Sequence, residues 1–339
     1  KMTKTIKIFG SPGTGKTTTL LKLLEEKIAE GHRPDKIGFF SFTRRAIKEA
    51  RSRVIKKFNL TEDDLEYFRT IHSMCYRTLN INSGQVFKGE RVREFSEIAR
   101  VEMTGVSEED TSGLSIGNKK GDLLLFCDEV SRSSERDLKS VWKELECEHT
   151  WEEQEYFSTA LRNFKKSKNL LDFTDMLDVF NKETVVPQLD IMFVDEAQDL
   201  TTKQWKVIDK LTTNCKYRYI AGDDDQAIYR WAGADVKKFL DIPGSIEVLP
   251  ISYRLPKTIH KLACDISHKI SLRQAKSWTS REDQGSVTDI TTIEELDMSN
   301  GEWLILARSG YQLFKSEAIV KEWVGFMKKD IMNLKQINL

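Results

Sequence analysis

An α/β fold built on a parallel sheet is what this 339-residue sequence predicts. Three observations carry that expectation. Short apolar runs alternate with helical stretches, the pattern of strands covered by crossover helices on both faces. The first run passes directly into a glycine-rich turn and then a helix. A later uninterrupted run, IMFV at 191–194, ends on two adjacent acids.

Taken in order, TIKIF (5–9) is short and alternating and stops at Gly10. Leu20, Leu21, Leu24 and Ile28 then recur at helical spacing. DKIGFFSF (35–42) is a second strand, followed by a basic helix, RRAIKEARSRVIKKF. From about 85 to 170 the chain is highly charged and shows no buried strand. REFSEIARVEM (93–103) and the run from Arg136 to Ser167 read as helices, so a helical insertion is expected here, with 105–121 as a loop. IMFV, YRYIAG (217–222), SIEVLPI (245–251) and EWLILA (302–307) continue the strand theme. Crossovers between parallel strands should be right-handed.

The bulk numbers bound the function. The chain length suggests two or three domains. Lys plus Arg and Asp plus Glu are 53 each, so the formal net charge is zero. Contact with nucleic acid must then come from a local patch. The five cysteines, at 75, 127, 147, 215 and 264, form no CxxC pair. That argues against a disulfide framework or a zinc site and fits a reducing compartment. No apolar run approaches the roughly 18–20 residues of a membrane span, and KMTKTIKIFG has no leader pattern. The expectation is a cytoplasmic protein without a membrane partner.

GSPGTGKT (10–17) satisfies G-x-x-x-x-G-K-[ST] and lies between a strand and a helix, where its mechanism requires. Gly13, Thr14 and Gly15 place backbone N–H groups around phosphate oxygens, and Thr18 continues the helix N-terminus that favours anions. Lys16 should reach the β- and γ-phosphates, and the Thr17 hydroxyl should ligate Mg²⁺. ATP and Mg²⁺ are the ligands expected. Asp195, directly after IMFV, is the expected metal carboxylate, and Glu196 is placed to polarise an attacking water. Phe42, Arg44, Arg45 and Lys48, with Arg51 and Arg53 beyond them, combine an aromatic with cations, as a single-strand track does. A solvated helix face with a buried Phe42 is the alternative. His72, taken alone, reads more readily as a core histidine. In GDDDQAIYRWAGA (222–234) three carboxylates precede Gln226, and two aromatics flank a cation.

Eight stretches, in order over about 300 residues, resemble superfamily 1 DNA helicases of the UvrD/Rep/PcrA type. They are GSPGTGKT, SFTRRA, RTIHS, LDFTDML, FVDEAQD, GDDDQAIYRWAGA, ISYR and LILARS. The resemblance implies two RecA-like domains with ATP between them, single-stranded DNA across their tops, and 3′-to-5′ stepping. It implies a first motor domain at 1–84 and 171–251, a helical insertion at 85–170, and part of a second motor domain at 252–339. Gln226 resembles a γ-phosphate sensor, Arg254 an arginine finger, and Tyr253 the residue stacked on adenine. Phe42, Tyr229 and Trp231 resemble base-contacting aromatics, while Arg44, Arg45 and His72 lie in motifs that line the DNA track. Core packing remains open for Tyr229 and Trp231, and hinge support for Tyr253. Asp223–Asp225 are expected near Mg²⁺ and the basic groups of the nucleotide site. A shift at Gln226 would then move the Trp231 platform.

Partners expected are single-stranded DNA, junctions of single and double strand, and proteins of replication, repair or defence. A nucleotide-gated DNA-binding module and a P-loop ATPase acting on a non-DNA partner are the competing readings. Two departures stand out. Position 44 is Arg where such helicases often carry Asn. The glutamine motif ahead of the first strand and the motifs that follow LILARS have no counterpart in the sequence. The expectation is a piece of a helicase that binds ATP–Mg²⁺, hydrolyses it weakly and does not unwind.

Overall fold

The computed structural model describes residues 3–104, 119–183, 185–292, 295–296 and 303–306. β1 (Lys4–Phe9) runs into the glycine-rich turn, and α1 (Lys16–Ala29) leaves it. β2 (Ile37–Ser41) is followed by α2 (Arg44–Phe58), whose first turn is capped by Thr43 Oγ1 accepting from Ala46 N at 3.3 Å. A two-residue strand, β3 (Phe68–Arg69), precedes α3 (Ile71–Thr78), capped in the same way by Thr70. Then come α4 (Glu90–Ala99), α5 (Lys120–Ser134), α6 (Leu138–Glu144) and α7 (Trp151–Lys168). α8 (Phe173–Lys182) leads to β4 (Ile191–Asp195), α9 (Thr202–Thr212) and β5 (Tyr217–Gly222). α10 (Val236–Asp241), β6 (Ser245–Val248) and α11 (Lys257–Ser267) complete the elements of the described residues.

The six strands form one sheet in the order β3-β2-β4-β5-β1-β6, and every pairing is parallel. Alternation along each strand divides the core between two faces. Ile6, Ile8, Phe39, Ile191 and Phe193 pack under α1 and α2. Phe9, Phe40, Met192, Val194 and Ile220 pack against α3, α8, α9 and α10. Because β5 lies between β1 and β4, the carboxyl ends of all three open on one crevice, the ligand position of open α/β sheets.

The expected helical insertion is present, though divided differently. Its chain departs beside the point where it returns: Phe87 N donates to Leu171 O at 2.9 Å and Leu171 N to Gln85 O at 2.7 Å. α4, α5 and α7 share a core of Phe95, Leu124, Phe157, Leu161 and Phe164. The run read as one helix from Arg136 is two, because Glu146 turns to φ 48° and Thr150 opens α7 with a capping box to Glu153. α5 was not foreseen as a helix. Eleven of its fifteen residues are buried, Asp128 and three serines among them, so it shows no clean apolar stripe.

Two strand expectations need correction. β6 stops at Val248, and its residues are largely exposed, as an edge strand's are. Of EWLILA, residues 303–306 carry no strand, and Glu302 and Ala307 lie outside the described residues. So do most of the 105–121 loop and the end of LILARS. The chain divides into two compact units, Lys1–Gln284 and Gly285–Leu339. Among the described residues no helix is long and apolar enough to cross a membrane.

Candidate nucleotide site and nucleic-acid interface

The turn after β1 uses backbone that glycine adopts readily. Gly13 and Gly15 have φ of 76° and 84°. A Cβ on Gly13 would lie 2.3 Å from the Cβ of Arg254. Glycine at 13 is therefore also what lets the ISYR segment close on the loop. Ser252 Oγ donates to Pro12 O at 2.7 Å, and Tyr253 N donates to Gly13 O at 3.0 Å. Gly15 is the N-cap of α1, so the loop's amides and the positive end of the helix converge on one point. Thr14 Oγ1 donates to Ser11 O, and Lys16 Nζ to Gly10 O, both at 2.8 Å. Thr18 follows in the first turn of α1.

Across the crevice Thr17 Oγ1 donates to Asp195 Oδ2 at 2.8 Å. Asp195 has no exposed surface. Burial, with Glu196 beside it, pushes its carboxyl up to about 6; a divalent cation at the carboxylate would pull it back down. The next residue, Glu196, is left-handed at φ 52°, which turns the chain sharply off the strand end at a cost of about 1 kcal/mol or more. Gln198 Nε2 donates to Glu196 Oε2 at 2.9 Å and to Asp199 Oδ2 at 3.2 Å. Its Oε1 accepts from Asp223 N at 3.0 Å. Gln198 thus ties the acid after β4 to the segment after β5. Asp199 Oδ1 is buried without a partner, and burial together with Glu196 pushes this carboxyl up to about 7.

A hydroxyl and a carboxylate, with an inward-facing amide loop beside them, fit the hard oxygen chemistry of Mg²⁺. That ion takes one or two protein carboxylates and leaves the rest of its shell to phosphate and water. Among the described residues no larger cluster of potential metal ligands occurs.

The acidic triplet follows β5 at the crevice, and its basic partners come from further along the chain. Lys276 Nζ lies 3.1 Å from Asp223, 2.5 Å from Asp224 and 3.0 Å from Asp225, and its side chain has no exposed surface. Arg273 meets both oxygens of Asp225 at 2.8 and 2.7 Å. Three neighbouring carboxylates repel one another, and here two cations from their own chain relieve them. Gln226, ending the 3-10 turn that Asp224 begins, donates its side-chain amide to Asp223 Oδ2. Tyr253 is 72% exposed beside the loop, and Arg254 is exposed next to it.

Phe42, Tyr229 and Trp231 fall in one neighbourhood with unequal exposure. Phe42 is only 6% exposed, with its ring centroid 5.7 Å from Tyr229. Trp231 is 49% exposed and 5.4 Å from Phe126 of α5. Tyr229 packs with Val130, Val141 and Ala232, so the insertion supports this aromatic end. Arg44 and Arg45 are exposed in the first turn of α2. A cleft of about 610 Å³ is lined by Arg44, Lys48, Arg69, His72, Tyr76 and Lys88, among others. His72 stands edge-on to Phe173 at 5.5 Å, and burial pushes its imidazole down to about 4, so it is neutral near pH 7.

Two of the cations after Phe42 have partners within the fold, although Arg51 also lines the cleft. Arg51 is held by Glu62 and by the carbonyls of Leu65 and Phe68, and Arg53 pairs with Glu25. Gln198, Phe126, Arg273 and Lys276 were missed in the sequence. Only Gln198 lay in a quoted motif; the sole hint of the two cations was the acidic triplet itself.

Comparison with known proteins adds a family and three relatives. Residues 1–246 match the UvrD/REP helicase N-terminal domain. The chain is 28% identical over 297 residues to the ATP-dependent DNA helicase PcrA of Staphylococcus aureus (strain Mu50 / ATCC 700699), covering 80% of this chain and 39% of that protein. Against PcrA of Bacillus subtilis (strain 168) it is 26% identical over 296 residues, 82% of this chain and 39% of the relative. Against PcrA of Staphylococcus epidermidis it is 28% identical over 298 residues, 80% and 39%. The chain spans about two fifths of the length of the curated relatives it matches.

Proposed function

The chain belongs to the UvrD/REP helicase family, and from that premise we propose that it is an ATP-hydrolysing motor segment acting on single-stranded DNA, stepping 3′ to 5′. Residues 1–84 and 171–251 are the first motor domain in this reading, 85–170 its insertion, and 252–339 part of a second. The observation that carries the reading is the meeting of three separate segments at the crevice. Thr17 contacts Asp195 at 2.8 Å, and the ISYR backbone closes on Gly13.

The loop amides around Gly13, Thr14 and Gly15, with Lys16 and Thr18, hold the triphosphate. Thr17 and Asp195 would hold Mg²⁺, which when bound neutralises charge on the phosphate oxygens. Glu196 takes the proton of the attacking water, and Gln198 fixes its direction through the 2.9 Å hydrogen bond. Gln226 is neutral, so it can turn from Asp223 to a phosphate oxygen without repulsion. Arg254 supplies positive charge to the transferring group, an effect that in other phosphoryl-transfer enzymes is worth about 10³–10⁵ in rate. Tyr253 offers the adenine a largely exposed ring.

On the DNA side Trp231 is the open stacking face. Tyr229 and Phe42 pack on each other nearby, and Arg44, Arg45 and His72 border the strand's path in this reading. Stacking of one base on such a ring contributes roughly 1–3 kcal/mol.

The test is ATP hydrolysis by the 339-residue chain with and without a single-stranded oligonucleotide. Hydrolysis that rises severalfold with DNA and disappears in Lys16→Ala is expected. A rate unchanged in Lys16→Ala, or indifferent to DNA, would sink the reading. Strand displacement on tailed duplexes then separates a helicase from a DNA-stimulated ATPase.

A further inference from the structure

LRQAKSWTS, residues 272–280, belongs to none of the eight helicase-like stretches, yet it touches two of them. Its first half grips the Gln226 turn. Arg273 chelates Asp225, Gln274 N donates to Asp224 Oδ2 at 2.6 Å, and Lys276 Nζ is shared among all three aspartates. Its second half grips ISYR. Thr279 N donates to Pro250 O and Ser252 N to Thr279 O, each at 2.8 Å. Between the halves Trp278 stands edge-on to His260 of α11, ring centroids 4.3 Å apart, while His260 Nε2 donates to Trp278 O at 3.1 Å. Ser252 and Tyr253 in turn rest on Pro12 and Gly13.

We propose that residues 273–279 are a positioning strap that sets the Gln226 turn against the Tyr253–Arg254 segment, with Lys276 as its anchor. The role of the strap in hydrolysis rests on the ATPase reading above. Asp223 explains why the anchor matters. Its Oδ1 faces Lys276, and its Oδ2 accepts from Gln226. With Lys276 in place the carboxylate's charge is shared. Without it the carboxylate holds the Gln226 amide harder and keeps it from a phosphate oxygen. The same loss leaves the first half of the strap tied only through Arg273 and Gln274, and loosens the Thr279 pairing that fixes Ser252. Lys276 is thus a positioning residue for Gln226 and Arg254, and it contacts no reacting atom.

Lys276→Met alone leaves the buried Asp223 and Asp224 carboxylates short of a cation and can cost the fold. The double variant Asp224→Asn/Lys276→Met removes one charge of each sign and keeps the test available. Two readouts separate the claims. Amide hydrogen exchange at Ser252 and Tyr253 should speed up at least tenfold in the double variant, with melting near wild type. Unchanged exchange there overturns the strap whether or not ATP is hydrolysed. In steady-state hydrolysis kcat should fall at least tenfold while KM for ATP stays within about threefold. A folded double variant with wild-type kcat overturns the positioning role. A wild-type chain whose hydrolysis does not depend on Lys16 counts against the ATPase reading and leaves the exchange result to judge the strap.

Discussion

Asp199 shows how far one residue departs from what its letter suggests. In the sequence it is the last acid of DEAQD, indistinguishable from a solvated loop residue. In the fold it is largely enclosed, has an oxygen without a partner, and faces Glu196. Its carboxyl is raised to about 7 from an ordinary 3.8. A raised pKa means the folded state favours the protonated form. The associated stability is full below about pH 3.8 and is lost as pH rises through about 7. Asp199→Asn removes the charge and keeps an acceptor for Gln198. It should raise the melting temperature at pH 8 by roughly 5 °C and leave it nearly unchanged at pH 4. Equal shifts at the two pH values in a thermal melt would contradict this. His72 differs in kind. Sequence left it between core and DNA track, and the structure has it lining the cleft while burial keeps it neutral.

At the scale of elements, the loop between β1 and α1 was legible because its chemistry is local. Glycines at fixed offsets, a lysine and a threonine must follow one another to wrap a phosphate, so their order is written in the chain. Its docking on ISYR was not, because Gly13 and Arg254 are 241 positions apart. Gly13→Ala tests both roles. The added Cβ meets Arg254 Cβ at 2.3 Å and strains a backbone at φ 76°. Nucleotide binding should be lost and stability should fall by about 1–3 kcal/mol, read by nucleotide titration and denaturant unfolding. A variant that binds as tightly as wild type would show that ISYR can withdraw without consequence. The segment after β5 was half legible. Its aromatic end sets Tyr229 on Phe42 and Trp231 on Phe126, and its acidic end is neutralised by Arg273 and Lys276.

For the whole molecule, the helical insertion and the sheet domain are held together by a compact ion network. Arg132 of α5 reaches Asp128 at 2.6 Å, Asp172 at 2.7 Å and Asp175 at 3.2 Å, and Lys165 of α7 meets the same two α8 aspartates at 2.5 Å each. Although burial opposes its charge, Arg132 and Lys165 hold the Asp172 carboxyl well below the usual carboxylate range. Arg132→Leu leaves Asp128 and Asp172 buried and short of a cation. It should cost about 3–5 kcal/mol and raise exchange of the α5 and α8 amides ahead of the β1, β4 and β5 amides. A uniform change across both regions would argue against a network specific to this joint. What the sequence by itself determined is the parallel α/β class, the phosphate loop, the acid after IMFV and the presence of a helical insertion. Each of these follows from residues close together in the chain or from a strict periodicity. Tertiary structure alone decided which cations neutralise Asp223–Asp225, that Arg51 and Arg53 serve the fold, that Gln198 bridges two strand ends, and that α5 backs the Trp231 platform. Those outcomes depend on which distant side chains share a burial site. Charge, once desolvated, takes whichever partner the fold brings within hydrogen-bond reach, and nothing local in the chain specifies that choice.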